Sequence, residues 1–203
     1  MTEPRIELHA RDLTAFHDAR HAVAGWAKSG ETATRDPLWL AVEDNHRCNC
    51  LLWDEEDLAR RRNVSDSEIA KNKRAIDGHN QKRNDAIERI DELLLISLSK
   101  TEVKSGAKLN SETAGAMIDR LSILSLKIQH MRLQTERKDV ASAHIESCRL
   151  KLARLTEQRT DLASCLDRLL ADCARGEAYF KIYRQFKMYN DPALNPAIYG
   201  EKR

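Results

Sequence analysis

The chain has 203 residues, a length that suits one well-packed domain and is short for two. Charged residues make up 33% of it, aromatics 5%, and with only seven glycines and four prolines it lacks the turns of a sandwich or barrel. A formal net charge of +2 argues against a general affinity for nucleic acid. The basic clusters Arg60–Arg62 and Lys71, Lys73, Arg74 read as solvated helix ends.

A first helix is expected from Asp12 to about Lys28, ending near Gly30. It carries His17 and His21 four residues apart, a chelating spacing without an obvious third ligand, so both are expected at the surface. Asp36 as N-cap with Pro37 behind it starts a second helix, which runs through Trp39, Val42 and Trp53 to about Arg61. Cys48 and Cys50 on it are closer than a usual zinc pair. His46 and Cys50 share a face, but two ligands make no site, so neither metal nor cofactor is expected. Ser65 with Glu68 forms a capping box that opens a third helix, to about Leu98. "SKTEVKSGAKLNSETAG" is a polar loop, and a fourth helix spans about Thr113 to Arg137.

No Gly or Pro separates this helix from the next periodic segment. A single helix from 113 to 173 would be roughly 90 Å long, too long for a compact domain, so a break is placed near Lys138–Ser142. The fifth helix carries a regular seam from Ile145 through Cys148, Leu152, Leu155, Leu162, Leu166 and Leu169 to Cys173, with Arg159 as its polar member. After Gly176 comes a tail holding six of the ten aromatic residues, in which Asp191-Pro192 and Asn195-Pro196 stop helix formation. The chain thus reads as all-α: a single domain, residues 1–203, built as an antiparallel bundle of five to six helices with a C-terminal aromatic strap. Met1-Thr2-Glu3-Pro4 has no signal-peptide pattern, and the longest run of large apolar residues, Leu93 to Ile96, falls far short of the roughly 20 a membrane span needs. With an odd number of cysteines as well, a cytoplasmic, reduced protein is expected.

Each long helix places polar residues in its apolar stripe. Asn80 and Arg83 interrupt the stripe Ile69, Ile76, Ile87, Ile90 and Leu94. If consecutive helices are antiparallel neighbours, His46, Asn49, Asn80, Arg83, Asn84, Lys127 and His130 fall in one layer. Asp119 falls beside Arg159 as a buried structural ion pair. The layer holds more donors and cations than nearby acceptors. Either its own carboxylates and amides (Glu56, Asp77, Asn84) close it, or it is a pocket for an anionic or sugar-like ligand.

The segments "LLWDEEDLARRR", "AIDGHNQKRNDAIERIDELL", "LNSETAGAMIDRLSILSLKI" and "RQFKMYNDPALNPAIY", in this order, resemble a bacterial family known only as a domain of unknown function. The resemblance runs from about His46 to Tyr199 and departs at Cys50, where a bulkier apolar residue is expected. It implies an all-helical fold of about this length. Through the association of its members' genes with glycosyltransferases of surface-polysaccharide loci, it also implies a setting in surface-glycan metabolism. It supplies no catalytic residue.

Together the layer and this setting suggest a protein that binds or modifies an anionic phosphorylated or nucleotide-linked sugar, with Arg184, Lys187, Tyr189 and Asn190 of the tail closing over it. Alternatively Phe180, Tyr183 and Phe186 of the tail only cover an open edge of the core. The second functional reading is a non-catalytic adaptor docking on a glycosyltransferase or other partner. A magnesium-dependent nucleotide pyrophosphohydrolase is disfavoured, because its acidic groups Asp57 and Glu88 would lie roughly 25 Å apart along the hairpin. Gly-rich phosphate loops, nucleophile elbows and deaminase zinc motifs do not occur.

Overall fold

The computed structural model describes residues 8–32, 34–184, 188 and 191–200. The first expected helix is divided: α1 spans Ala10–His21 and a short α2 spans Trp26–Ser29. Between them Gly25 adopts φ 71°, a left-handed conformation that turns the chain at little cost only in glycine. The next helix, α3 (Pro37–Leu58), begins where Asp36 accepts a hydrogen bond from the Trp39 amide at 2.9 Å. Both halves of the Ser65–Glu68 capping box form at the start of α4 (Asp66–Ser97). Thr113 caps α5 (Ala114–Thr135), and the chain breaks before α6 (Ser142–Ala174), as the length argument requires. A last turn of helix, α7, spans Pro196–Tyr199.

The fold is all-α. Helices α3 and α4 form one antiparallel hairpin, with Asn72 donating to Glu55 at 2.7 Å and Lys73 lying 3.6 Å from Glu56 near its turn. Helices α5 and α6 form a second hairpin. Helix α1 packs against α5 and α6, and α3 and α4 also touch α5. The shared core is built from Leu13, Val42, Ile90, Leu94, Ile118, Leu121 and Leu166, all fully buried. Burying a side chain of this size contributes about 1.5–3 kcal/mol, so the meeting of the two hairpins and α1 dominates the stability.

The polar loop after α4 contributes a feature that periodicity did not reveal. Its residues Lys108–Leu109 (β1) pair in parallel with Ala178–Tyr179 (β2), just beyond α6. This pairing starts the tail and seats Phe180 in the core, whereas Tyr183 is 69% exposed. Of the three aromatics expected to cover a core edge, Phe180 does so, Tyr183 does not, and Phe186 lies outside the described residues. Among the described residues no helix is long and apolar enough to cross a membrane, and all five cysteines are free thiols.

Candidate functional site

Helix α3 turns Val42, Asn45, Asn49 and Leu52 toward the bundle, since residues three and four apart share a face. Helix α5 answers with Asp119 and Ser122. Asn45 and Asn49 each donate an amide hydrogen to Oδ1 of Asp119, at 2.8 and 2.9 Å, and Asn49 also donates to Ser122 Oγ at 2.9 Å. Arg83 of α4 brings its Nε to 4.0 Å from the same carboxylate. Asp119 thus supplies the layer with an acceptor of its own for both amides, whereas the buried Arg83 Nε has no hydrogen-bond partner among the described residues. Glu56, expected among the closing groups, pairs instead with Arg60 and Lys73, and Asp77 is exposed.

His46 lies one turn away in a second polar cluster. Its Nδ1 is 2.8 Å from Ser122 Oγ, and its Nε2 is 3.8 Å from Cys50 Sγ. His17 packs against it at 4.5 Å between ring centroids, with His21 at 5.2 Å and Trp26 at 5.6 Å. The expectation that His17 and His21 are surface residues is corrected. His17 is fully buried, because the α1 face that carries it turns into the bundle with Leu13, and His21 is half-buried with Nε2 3.1 Å from Ser125 Oγ. Burial, aided by the His21 and Arg159 charges, holds His17 down to about 3, so it is neutral at physiological pH.

A concavity lies on the opposite side of α3. There α3 and α4 enclose a groove of about 640 Å³, floored by Leu40, Ala41, Cys48, Leu51 and Ala86. Its rims carry His79, Lys82 and Arg89 from α4 and Asp44 and Arg47 from α3, with Asp85 beside them. Arg47 is spent on Glu43 at 3.0 Å and on the Trp26 carbonyl at 2.7 Å, and Arg89 leans on Glu92 at 3.4 Å. Lys82 and His79 have no ion-pair partner among the described residues. Burial pushes the Cys48 thiol up to about 11, leaving it without appreciable nucleophilic thiolate at neutral pH. The groove thus offers two free donors, two carboxylates and an apolar floor, a lining suited to binding.

A family model described as a protein of unknown function, DUF4254, matches residues 39–182. The chain belongs to the DUF4254 family. The match covers the polar layer and both walls of the groove, while α1 and its histidines precede it. No curated protein and no solved structure matches the chain.

Of the seven residues expected in one layer, this DUF4254 protein brings together Asn49 and Arg83, with His46 adjacent through Ser122. Asn80 is half-buried and makes no hydrogen bond among the described residues. Asn84 is buried on another side of α4, since one residue turns the helix by about 100°. Lys127 is exposed at the α5–α6 surface, where it lines a second concavity together with His130, which stacks on Trp53 at 4.3 Å. The expected Asp119–Arg159 pair is also corrected. Helix α1 places Asp18 2.7 Å from Arg159, while Asp119 faces α3 and α4. In the expected lid, Arg184 reaches Glu92 at 2.8 Å and Glu88 at 3.3 Å; Lys187, Tyr189 and Asn190 lie outside the described residues. Asn45, Ser122 and Ser125 were not anticipated. Asn45 was legible four residues before Asn49, but two serines in an apolar run carry little signal.

Asn84 lines a smaller crevice with Glu88, Asp91, Glu112 and Tyr183. Asp91 there accepts the Gly115 amide at 2.7 Å, capping the start of α5. Burial raises its carboxyl to about 6, opposed by hydrogen bonds from Thr113 and Gly115. The folded state therefore binds this proton more tightly than the unfolded state. Its stabilising contribution is fully present below the unfolded value near 3.8 and is lost as pH rises through about 6. Asp91→Asn keeps the acceptor without the charge. Urea denaturation between pH 4 and 7.5 is expected to show the variant gaining on the wild type as pH rises, with a constant difference contradicting the assignment.

Proposed function

We propose that this DUF4254 protein binds a small anionic ligand of the phosphorylated or nucleotide-linked sugar class in the α3–α4 groove. The observation that carries the reading is that Lys82 and His79, without an ion-pair partner among the described residues, stand beside Asp44 and the Gln81-bonded Asp85 above an apolar floor, in a volume typical of ligand sites. A phosphate takes hydrogen bonds from Lys82 and His79, sugar hydroxyls donate to the carboxylates, and a ring lies on Leu40 and Leu51. The family resemblance supports a bacterial setting in surface-glycan metabolism, beside glycosyltransferases. Asp91 and Glu88, which a metal-dependent pyrophosphohydrolase would need free, are engaged with the α5 amide and Arg184, so binding is favoured over that chemistry.

Thermal-shift screening with nucleotide sugars, sugar phosphates and the corresponding neutral sugars tests the reading. The phosphorylated members are expected to stabilise the protein. Lys82→Met is expected to weaken the best of them roughly 10–100-fold, the worth of one charge-assisted hydrogen bond, without changing the ligand-free midpoint. A panel without effect would favour an adaptor, and equal affinity in Lys82→Met would move the ligand out of the groove.

A further inference from the structure

We propose that His17, His21, His46 and Cys50 bind one divalent ion of the zinc class, which pins α1 to α3. His17 and His21 are four apart on α1, as are His46 and Cys50 on α3, so each helix directs two donors from one face. One ligand atom each from His21, His46 and Cys50 lies within 4.8 Å of the others; His17 stands outside this trio and joins it as fourth ligand by turning its ring. The His46 Nε2 to Cys50 Sγ distance of 3.8 Å is close to the roughly 3.6 Å expected for a nitrogen and a sulfur sharing a tetrahedral zinc.

His17 supplies an independent indication. Its ring is fully buried against His46, yet neither ring nitrogen has a hydrogen-bond partner among the described residues. Buried polar atoms are seldom left this way, and a coordinate bond would satisfy one of them. The outer shell is in place as well. Ser122 Oγ stands 2.8 Å from His46 Nδ1, with Nε2 on the side of Cys50; the ring also meets the His17 backbone, a contact that the metal would replace. Ser125 donates its proton to the Ser122 carbonyl, so it accepts one from His21 Nε2 and fixes that tautomer.

Three imidazoles and a thiolate select zinc or cobalt over magnesium or calcium, which need oxygen donors. On binding, the Cys50 S–H bond breaks, the sulfur–metal bond forms and one proton leaves to solvent, with no change of oxidation state. With His17 turned in beside the assembled His21, His46 and Cys50, four protein ligands fill a tetrahedron and make the site structural. It is independent of the groove: Cys48 lines the groove, and Cys50, two residues on, points the other way.

Chelator-treated full-length protein titrated with Co²⁺ tests the site. One ion per chain is expected, with the intense visible bands of tetrahedral cobalt and a near-ultraviolet thiolate charge-transfer band, both removed by Zn²⁺. Zinc at about a thousandfold excess over its Kd should raise the melting midpoint by roughly 8 °C or more. Cys50→Ser should abolish the charge-transfer band, and His21→Ala and His17→Ala should each weaken zinc binding by roughly tenfold or more, with helical content intact. Cys48→Ser and Cys165→Ser should change neither. No cobalt bound, octahedral bands alone, or a thiolate band surviving in Cys50→Ser would overturn the site.

Discussion

Asp119→Ala is expected to destabilise the protein by about 3 kcal/mol, measured by chemical denaturation at neutral pH with an unchanged m-value. The carboxylate is the common acceptor for the Asn45 and Asn49 amides and the counter-charge of Arg83. Its removal strands the Asn45 amide on a buried face of α3, leaves Asn49 with Ser122 alone, and takes the counter-charge from a guanidinium. The figure sits at the low end for a broken buried pair because the Arg83 side chain is 27% exposed and regains some hydration. Arg83→Met should cost clearly less, since Asp119 keeps both amides. Equal losses in the two variants would mean that the ion pair, and not the amide network, holds the layer.

Gly115→Ala is the second large effect, with an expected net loss of about 2–3 kcal/mol and a lowered melting midpoint. Alanine would gain up to about 1 kcal/mol in helix propensity. Its Cβ, however, would stand 2.6 Å from the Ile87 carbonyl oxygen and 2.9 Å from the Asp91 carboxyl carbon. Backbone cannot yield as a flexible side chain can, so α5 must move off α4. That movement also lengthens the hydrogen bond by which Asp91 caps α5. A variant as stable as the wild type would mean that the α4–α5 approach is looser than described.

The helices were legible because their signals are local. Asp36-Pro37 and the Ser65–Glu68 box mark starts, and the length of the last periodic stretch forced the break before Ser142. Hairpin counting put Asn49 and Arg83 in one layer across the short turn after α3, and in the structure both approach the Asp119 carboxylate. It failed where α1 decides the neighbours. Nothing near Arg159 in the sequence identifies Asp18 as its partner, and nothing near His17 reveals a buried ring. Asp119 was assigned to α6 because that hairpin alone was counted, so the layer seemed short of acceptors. The groove was missed for a related reason: its donors Lys82 and His79 lie off the apolar stripe.

We propose the α3–α4 groove as the ligand site and the buried layer as scaffold. Proton–nitrogen correlation spectra recorded with a nucleotide sugar test this most directly. The backbone signals of Asp44, His79, Lys82 and Asp85 should move in a saturable way, while the side-chain amides of Asn45 and Asn49 stay in place. Movement of those two amides with an unperturbed groove would contradict the account and return the ligand to the layer around Asp119.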